Sequence, residues 1–131
     1  MAEILVIDDE PQMRRLIARI LNGAGHIVHQ ANNGRDGIGL FHREHPALVI
    51  TDIVMPDMEG IEMIRELHRE APTIPILAIS GGGPAVYLRA ATGLGATAAL
   101  AKPFGAAELL SVVERLLKEG SCASHPDHNA T

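Results

Sequence analysis

A chain of 131 residues carries 16 acidic against 11 basic side chains, with a net charge of −5 and a pI of about 5.7. That balance argues against direct nucleic-acid binding, which depends on Lys and Arg neutralising phosphates, and no basic run occurs. Apolar residues make up 47% but aromatic ones only 2%, so one domain of ordinary size is expected, its interior built from Ile, Leu, Val, Met and Ala.

The N-terminus, MAEILVIDDE, places acids directly after one short apolar run and lacks the basic and long apolar regions of a signal peptide. No apolar stretch approaches the roughly 20 residues that span a bilayer. Cys122 is the only cysteine, so no internal disulfide can form. A soluble cytoplasmic protein is expected.

Ile4–Ile7 is the first strand-sized apolar run, and it ends in Asp8-Asp9-Glu10. Pro11 then stands at a first helical position, Met13, Leu16, Ile17, Ile20 and Leu21 form an apolar stripe, and Gly23 and Gly25 close the helix. His26–Ala31 is the second run. Gly34–Glu44 reads as a weaker helix, since Gly37 and Gly39 each cost about 1 kcal/mol relative to Ala. The third run, Ala47–Thr51, leads into Thr51-Asp52 and then IVMPDMEG; Ile61, Ile64 and Leu67 mark the next helix. Ile74–Ile79 ends in Ser80 and Gly81–Gly83, and Thr97–Ala101 ends in Lys102-Pro103-Phe104. Leu109, Leu110, Val113, Leu116 and Leu117 form the last stripe. From Gly120 onward apolar periodicity is lost, so residues 1–119 read as one domain and 120–131 as a disordered polar tail.

Continuous apolar strands alternating with amphipathic helices predict an α/β fold: a doubly wound, five-stranded parallel sheet flanked by five helices. In such folds function collects at the carboxyl ends of the strands. Carboxylates from the first and third strands, the Ser80 hydroxyl and the Lys102 ammonium would converge there. Clustered carboxylates repel one another, and a hard divalent cation with oxygen ligands, best Mg²⁺, resolves the repulsion. Asp52 could then act as a nucleophile toward phosphorus, with Ser80 and Lys102 binding phosphoryl oxygens. Taken singly, each element has an ordinary structural explanation: a helix cap, a turn, a loop, a helix boundary. Their coincidence at the ends of four strands carries the reading.

Other signals are weaker. Gly81–Gly83 is not followed by the Gly-Lys-Ser/Thr of a P-loop, and the acids after the first strand exclude a dinucleotide fingerprint. His42/His45 and His125/His128 have H-x-x-H spacing without accompanying Cys or Glu ligands, and read as solvated surface or tail.

The combination of VIDDEP, TDIVMPDMEG, Ser80 and AKPF resembles the receiver domains of bacterial two-component response regulators, over residues 3–119. The resemblance implies a flavodoxin-like fold with strand order 2-1-3-4-5. It implies that Asp52 is the phosphoacceptor, and that Asp9 binds Mg²⁺ directly with Asp8 helping through water. Asp52 and the Val54 carbonyl would complete the metal ligands. By the same resemblance, Ser80 is the hydroxyl that moves to the phosphoryl group, Lys102 the site lysine, and Lys102-Pro103 a cis bond. The chain would catalyse its own phosphorylation and dephosphorylation, taking phosphoryl from a sensor histidine kinase or a histidine phosphotransfer protein. A protein partner would read the face made by the fourth helix, fifth strand and fifth helix. This chain departs from the family at Ala99, where an aromatic switch residue is common, and Gly82 offers no side chain near the attacking water. Gly81–Gly83 are expected to carry the conformational change instead. Three alternatives remain: an aspartyl-phosphate phosphatase, disfavoured by the lack of a D-x-D pair; an unphosphorylated interaction module of the same fold, disfavoured by the intact Asp8/Asp9/Asp52/Lys102 set; and a fragment of a longer transcription factor.

Overall fold

A computed structural model of the chain describes residues 2–53, 59–80 and 95–123. Five strands, β1 (Glu3–Ile7), β2 (Ile27–Ala31), β3 (Leu48–Asp52), β4 (Ile76–Ser80) and β5 (Ala98–Ala101), form one parallel sheet in the order β2-β1-β3-β4-β5. Four helices accompany them among the described residues: α1 (Pro11–Gly23), α2 (Gly34–Glu44), α3 (Glu59–Glu70) and α4 (Ala106–Ala123). The sequence predicts five flanking helices; the connection between β4 and β5, residues 81–94, lies outside the described residues.

β3 and β4 are buried along their length and β1 from Ile4 onward, as their unbroken apolar runs require, whereas the edge strands β2 and β5 are only partly covered. Alternate side chains feed two cores. On one face Leu5, Ile7, Val49 and Ile76 meet Phe41 of α2 and Met63, Ile64 and Leu67 of α3. On the other, Ile4, Val6, Ile50, Leu77 and Ile79 meet Ile17 and Leu21 of α1 and Leu109, Val113 and Leu116 of α4. Each such aliphatic side chain contributes roughly 1.5–3 kcal/mol on burial, which fixes the sheet rigidly between its helices.

The starts of β2, β4 and β5 differ from the periodicity by a residue or two because a hydrogen-bonding group is used elsewhere. Pro75 has no N–H to give the ladder, so β4 starts at Ile76 and Ile74 instead closes a turn by donating to the Ala71 carbonyl. His26 donates its N–H to the Leu21 carbonyl and finishes α1 rather than starting β2. The Thr97 hydroxyl accepts the Ile76 N–H just before β5 begins. Helix α4 continues to Ala123, past the predicted start of the tail at Gly120.

Within the predicted α1 stripe, Leu16 is 42% exposed while Ile17 and Leu21 are buried, because the buried face turns away from position 16. In α2, the Asn33 side chain caps the helix by accepting the Asp36 N–H at 2.8 Å. Gly37 has a packing reason: a Cβ there would lie 2.5 Å from Ile7 Cδ1, so any larger residue would force the buried Ile7 side chain to shift.

Candidate phosphoryl and metal site

The parallel register aligns the carboxyl ends of β1, β3, β4 and β5. Ile7 pairs with Thr51, Asp52 with Ile79 and Ser80 with Ala101. Asp8 therefore follows the last residue of β1, Asp52 ends β3, Ser80 ends β4, and Lys102 follows β5. The Lys102 N–H donates to the Ser80 carbonyl at 2.9 Å and the Ile53 N–H to the Ile79 carbonyl at 3.0 Å, tying these strand ends together. The Lys102-Pro103 bond is cis, in agreement with the expectation from sequence.

Asp8, Asp52 and Ser80 are buried (1%, 6% and 5% exposed) and Asp9 is exposed. Lys102 Nζ lies 3.1 Å from Asp52 Oδ2, 3.5 Å from Asp8 Oδ2 and 3.6 Å from Glu10 Oε1. One ammonium thus compensates three acids. Asp8 also accepts the Glu10 N–H through Oδ1 at 2.9 Å. Burial pushes the Asp8 carboxyl up to about 6, with Asp52 adding to the rise and the Glu10 N–H and Lys102 opposing it. Burial alone would lower the Lys102 ammonium, but the attraction of Asp52, Asp8 and Glu10 outweighs it and holds the group above its ordinary value. The Ser80 hydroxyl oxygen is buried without a hydrogen-bond partner among the described residues.

Oxygen atoms of Asp8, Asp9 and Asp52 lie within 4.8 Å of one another. An all-oxygen, carboxylate-rich donor set, with one acid already pushed toward protonation, fits a hard divalent cation. The structure thus brings together Asp8, Asp9, Asp52, Ser80 and Lys102. Val54, expected as a further metal ligand, and Gly81–Gly83 lie outside the described residues. Ala99 stands opposite Ala78 in the β4–β5 register.

Two contacts were not anticipated from sequence. Glu10 joins the Lys102 cluster, for which its place two residues after Asp8 was the available signal. Arg14 donates from Nη1 to the Asp8 carbonyl at 2.9 Å, and nothing in the sequence marked it. His42 and His45 do not form a metal site together: His42 Nε2 lies 2.7 Å from Glu70 Oε1, while His45 ends α2 in a left-handed conformation. His125 and His128 lie outside the described residues. A separate group, Glu3, His29 and Glu44, gathers at the opposite end of the sheet, with His29 Nε2 3.0 and 3.9 Å from the two carboxylates. Among the described residues no helix is long and apolar enough to cross a membrane.

Comparison with known proteins agrees with this architecture. The response regulator receiver domain model matches residues 4–114. The chain is 30% identical over 129 residues to a probable transcriptional regulator, ycf27, of Guillardia theta, covering 98% of this chain and 50% of that protein. The chain thus spans about half the length of that relative, and only 25% of the regulatory protein AtoC of Escherichia coli, to which it is 34% identical over 115 residues. Among solved structures, a response regulator receiver domain protein from Clostridium thermocellum superposes with a TM-score of 0.88 at 28% identity, covering 94% of this chain and 99% of that one. The receiver domain of NtrX from Brucella abortus gives 0.84 at 33% identity, covering 88% and 98%. With the fold, the strand order and the family match in agreement, the chain belongs to the response regulator receiver domain family, a family of signalling domains.

Proposed function

We propose that this domain is a phosphorylation-controlled switch that accepts a phosphoryl group on Asp52 with the help of Mg²⁺. The observation that carries the reading is the Lys102 ammonium held between two buried carboxylates, 3.1 Å from Asp52 and 3.5 Å from Asp8. A buried acid that served only structure would gain nothing from a second buried acid beside it.

In the proposed step an oxygen of Asp52 attacks the phosphorus of a phosphohistidine donor. The new P–O bond forms as the donor's P–N bond breaks, and that electron pair leaves with the imidazole. Lys102, already beside Asp52, pairs with a phosphoryl oxygen as the charge on Asp52 is spent in bonding. The Ser80 hydroxyl donates to another, a role supported by its being buried without a partner among the described residues. Mg²⁺ on Asp8, Asp9 and Asp52, completed by the Val54 carbonyl, would neutralise the acids and screen them from the incoming anion. Hydrolysis reverses the modification: water attacks the same phosphorus, Asp52 regains its carboxylate and inorganic phosphate departs. The donor is a sensor histidine kinase or histidine phosphotransfer protein of the cytoplasm. The output is a protein partner that meets the face containing β5 and α4. With Ala99 on β5, the signal reaches that face without an aromatic rotamer change.

The expected result with acetyl phosphate and Mg²⁺ is uptake of one alkali-labile phosphoryl group, read by intact mass and abolished by a chelator. Uptake that persists in the chelator, or that is stable to alkali, would overturn the reading. Continuous turnover of small phosphate monoesters would instead favour a phosphatase.

A further inference from the structure

A cleft of about 560 Å³ opens where α1 and α2 flank the end of the edge strand β2. Its size falls within the roughly 300–1,000 Å³ of small-molecule sites. Arg14, Arg35 and Arg43 line it, against the single carboxylate of Asp36, in a chain whose net charge is −5. Like charges are not gathered in this way without cost. Arg14 is held by neutral acceptors, its Nε 3.3 Å from Gln30 Oε1 and its Nη1 2.9 Å from the Asp8 carbonyl, so it is oriented without being neutralised. Asp36 is itself engaged by Asn33 Nδ2 at 3.2 Å. Among the described residues Arg43 pairs with its half-buried neighbour Glu44, 3.4 Å away.

Gly39 supplies an independent indication. It lies in the interior of α2, where glycine costs about 1 kcal/mol relative to Ala. Unlike Gly37, it has no packing reason: a Cβ at position 39 would meet nothing within 4 Å. That open space belongs to the cleft, and the residues one helical turn before and after it are Arg35 and Arg43. A bare helix surface between two guanidiniums, with a third facing it from α1, admits a group close to the backbone. Ala31 and Leu40 give the cleft a small apolar wall.

We infer that this cleft binds a nucleotide-sized phosphate monoester, its phosphate held by Arg14, Arg35 and Arg43 above Gly39. Guanidiniums match phosphate oxygens in bidentate pairs, and the excess of two positive charges among the lining residues suits a dianion. The remainder of the ligand rests against Leu40 and Ala31.

The test is titration of the isotope-labelled full chain in EDTA, so that no metal recruits phosphate elsewhere, followed by amide NMR. The probes are AMP, adenosine and inorganic phosphate. AMP is expected to shift the amides of residues 30–43 saturably, inorganic phosphate to shift the same amides at about tenfold higher concentration, and adenosine to leave them unmoved. Arg35→Glu and Arg43→Glu should each weaken AMP by about tenfold or more. Gly39→Leu, whose side chain enters open space and improves helix propensity, should block AMP while the fold is kept. Absence of saturable shifts, or shifts centred elsewhere, would overturn the inference. So would AMP binding unchanged in Gly39→Leu and Arg35→Glu. Adenosine equal to AMP would overturn the role of the phosphate, and inorganic phosphate equal to AMP would overturn the nucleotide-sized ligand.

Discussion

Lys102→Met is expected to slow phosphoryl uptake from acetyl phosphate by about two to three orders of magnitude, the range seen when one preorganised charge-stabilising donor is removed. The same substitution should lower stability at neutral pH by about 2–4 kcal/mol. The cause is electrostatic. Methionine keeps the length and apolar stem of the side chain but leaves Asp8 and Asp52, both buried, facing each other without the ammonium that lies 3.5 Å from the first and 3.1 Å from the second. Two outcomes separate charge from packing. Urea unfolding should recover most of the lost stability when Mg²⁺ is added, and also at pH 5, where Asp8 takes up its proton. A loss of equal size with and without Mg²⁺, and at pH 5 and 8 alike, would mean that Lys102 serves packing and that the acids do not depend on it.

Asp8→Asn should have the opposite effect on the metal-free fold, stabilising it at pH 8 by on the order of 1 kcal/mol after allowance for solvent screening and the lost attraction to Lys102. The Asp8 carboxyl has its pKa raised from 3.8 to about 6 in the folded chain. Between about pH 4 and 6 the folded state therefore holds more protons than the unfolded one, so stability falls as pH rises through that window. Above it the whole penalty of a buried charge is present. Asparagine removes the charge and keeps an oxygen for the Glu10 N–H. Its advantage should thus be clear at pH 8 and shrink by pH 4. Mg²⁺ reverses the order: it should stabilise the wild type through binding and the variant far less, with metal affinity in Asp8→Asn reduced by roughly tenfold or more. A variant that is less stable than wild type at pH 8 without metal, or that binds Mg²⁺ equally well, would contradict the assignment of Asp8.

The sheet and the site were legible in the sequence for different reasons. β1, β3 and β4 declared themselves because strands covered on both faces need unbroken apolar runs, and Leu5, Val49 and Leu77 are all fully buried. Asp8, Asp52, Ser80 and Lys102 were legible because a parallel sheet carries the ends of its strands to one rim, so position along the chain translates into position in space. What resisted reading depended on packing across elements. Leu16 fits the periodicity of α1 but sits on its exposed flank, a matter of a single helical step from the buried Ile17. Pro75 trimmed β4 by withholding an N–H, which periodicity does not register. Gly37 and Gly39 look alike in sequence, and only the nearness of Ile7 to one and the open cleft beside the other tell them apart. The Arg14 contact to the Asp8 carbonyl joins side chain to backbone across a turn, and no spacing rule predicts it.

Asp52 as the acceptor of phosphorus, rather than a merely buried acid, is tested most directly by finding where the phosphoryl group resides. After treatment with acetyl phosphate and Mg²⁺, borohydride reduction converts an acyl phosphate to a stable alcohol that peptide mass mapping can place. The expected result is a single reduced position at Asp52, with no phosphoryl uptake by Asp52→Asn. Modification at Ser80, at any other residue, or undiminished uptake by Asp52→Asn would contradict the account.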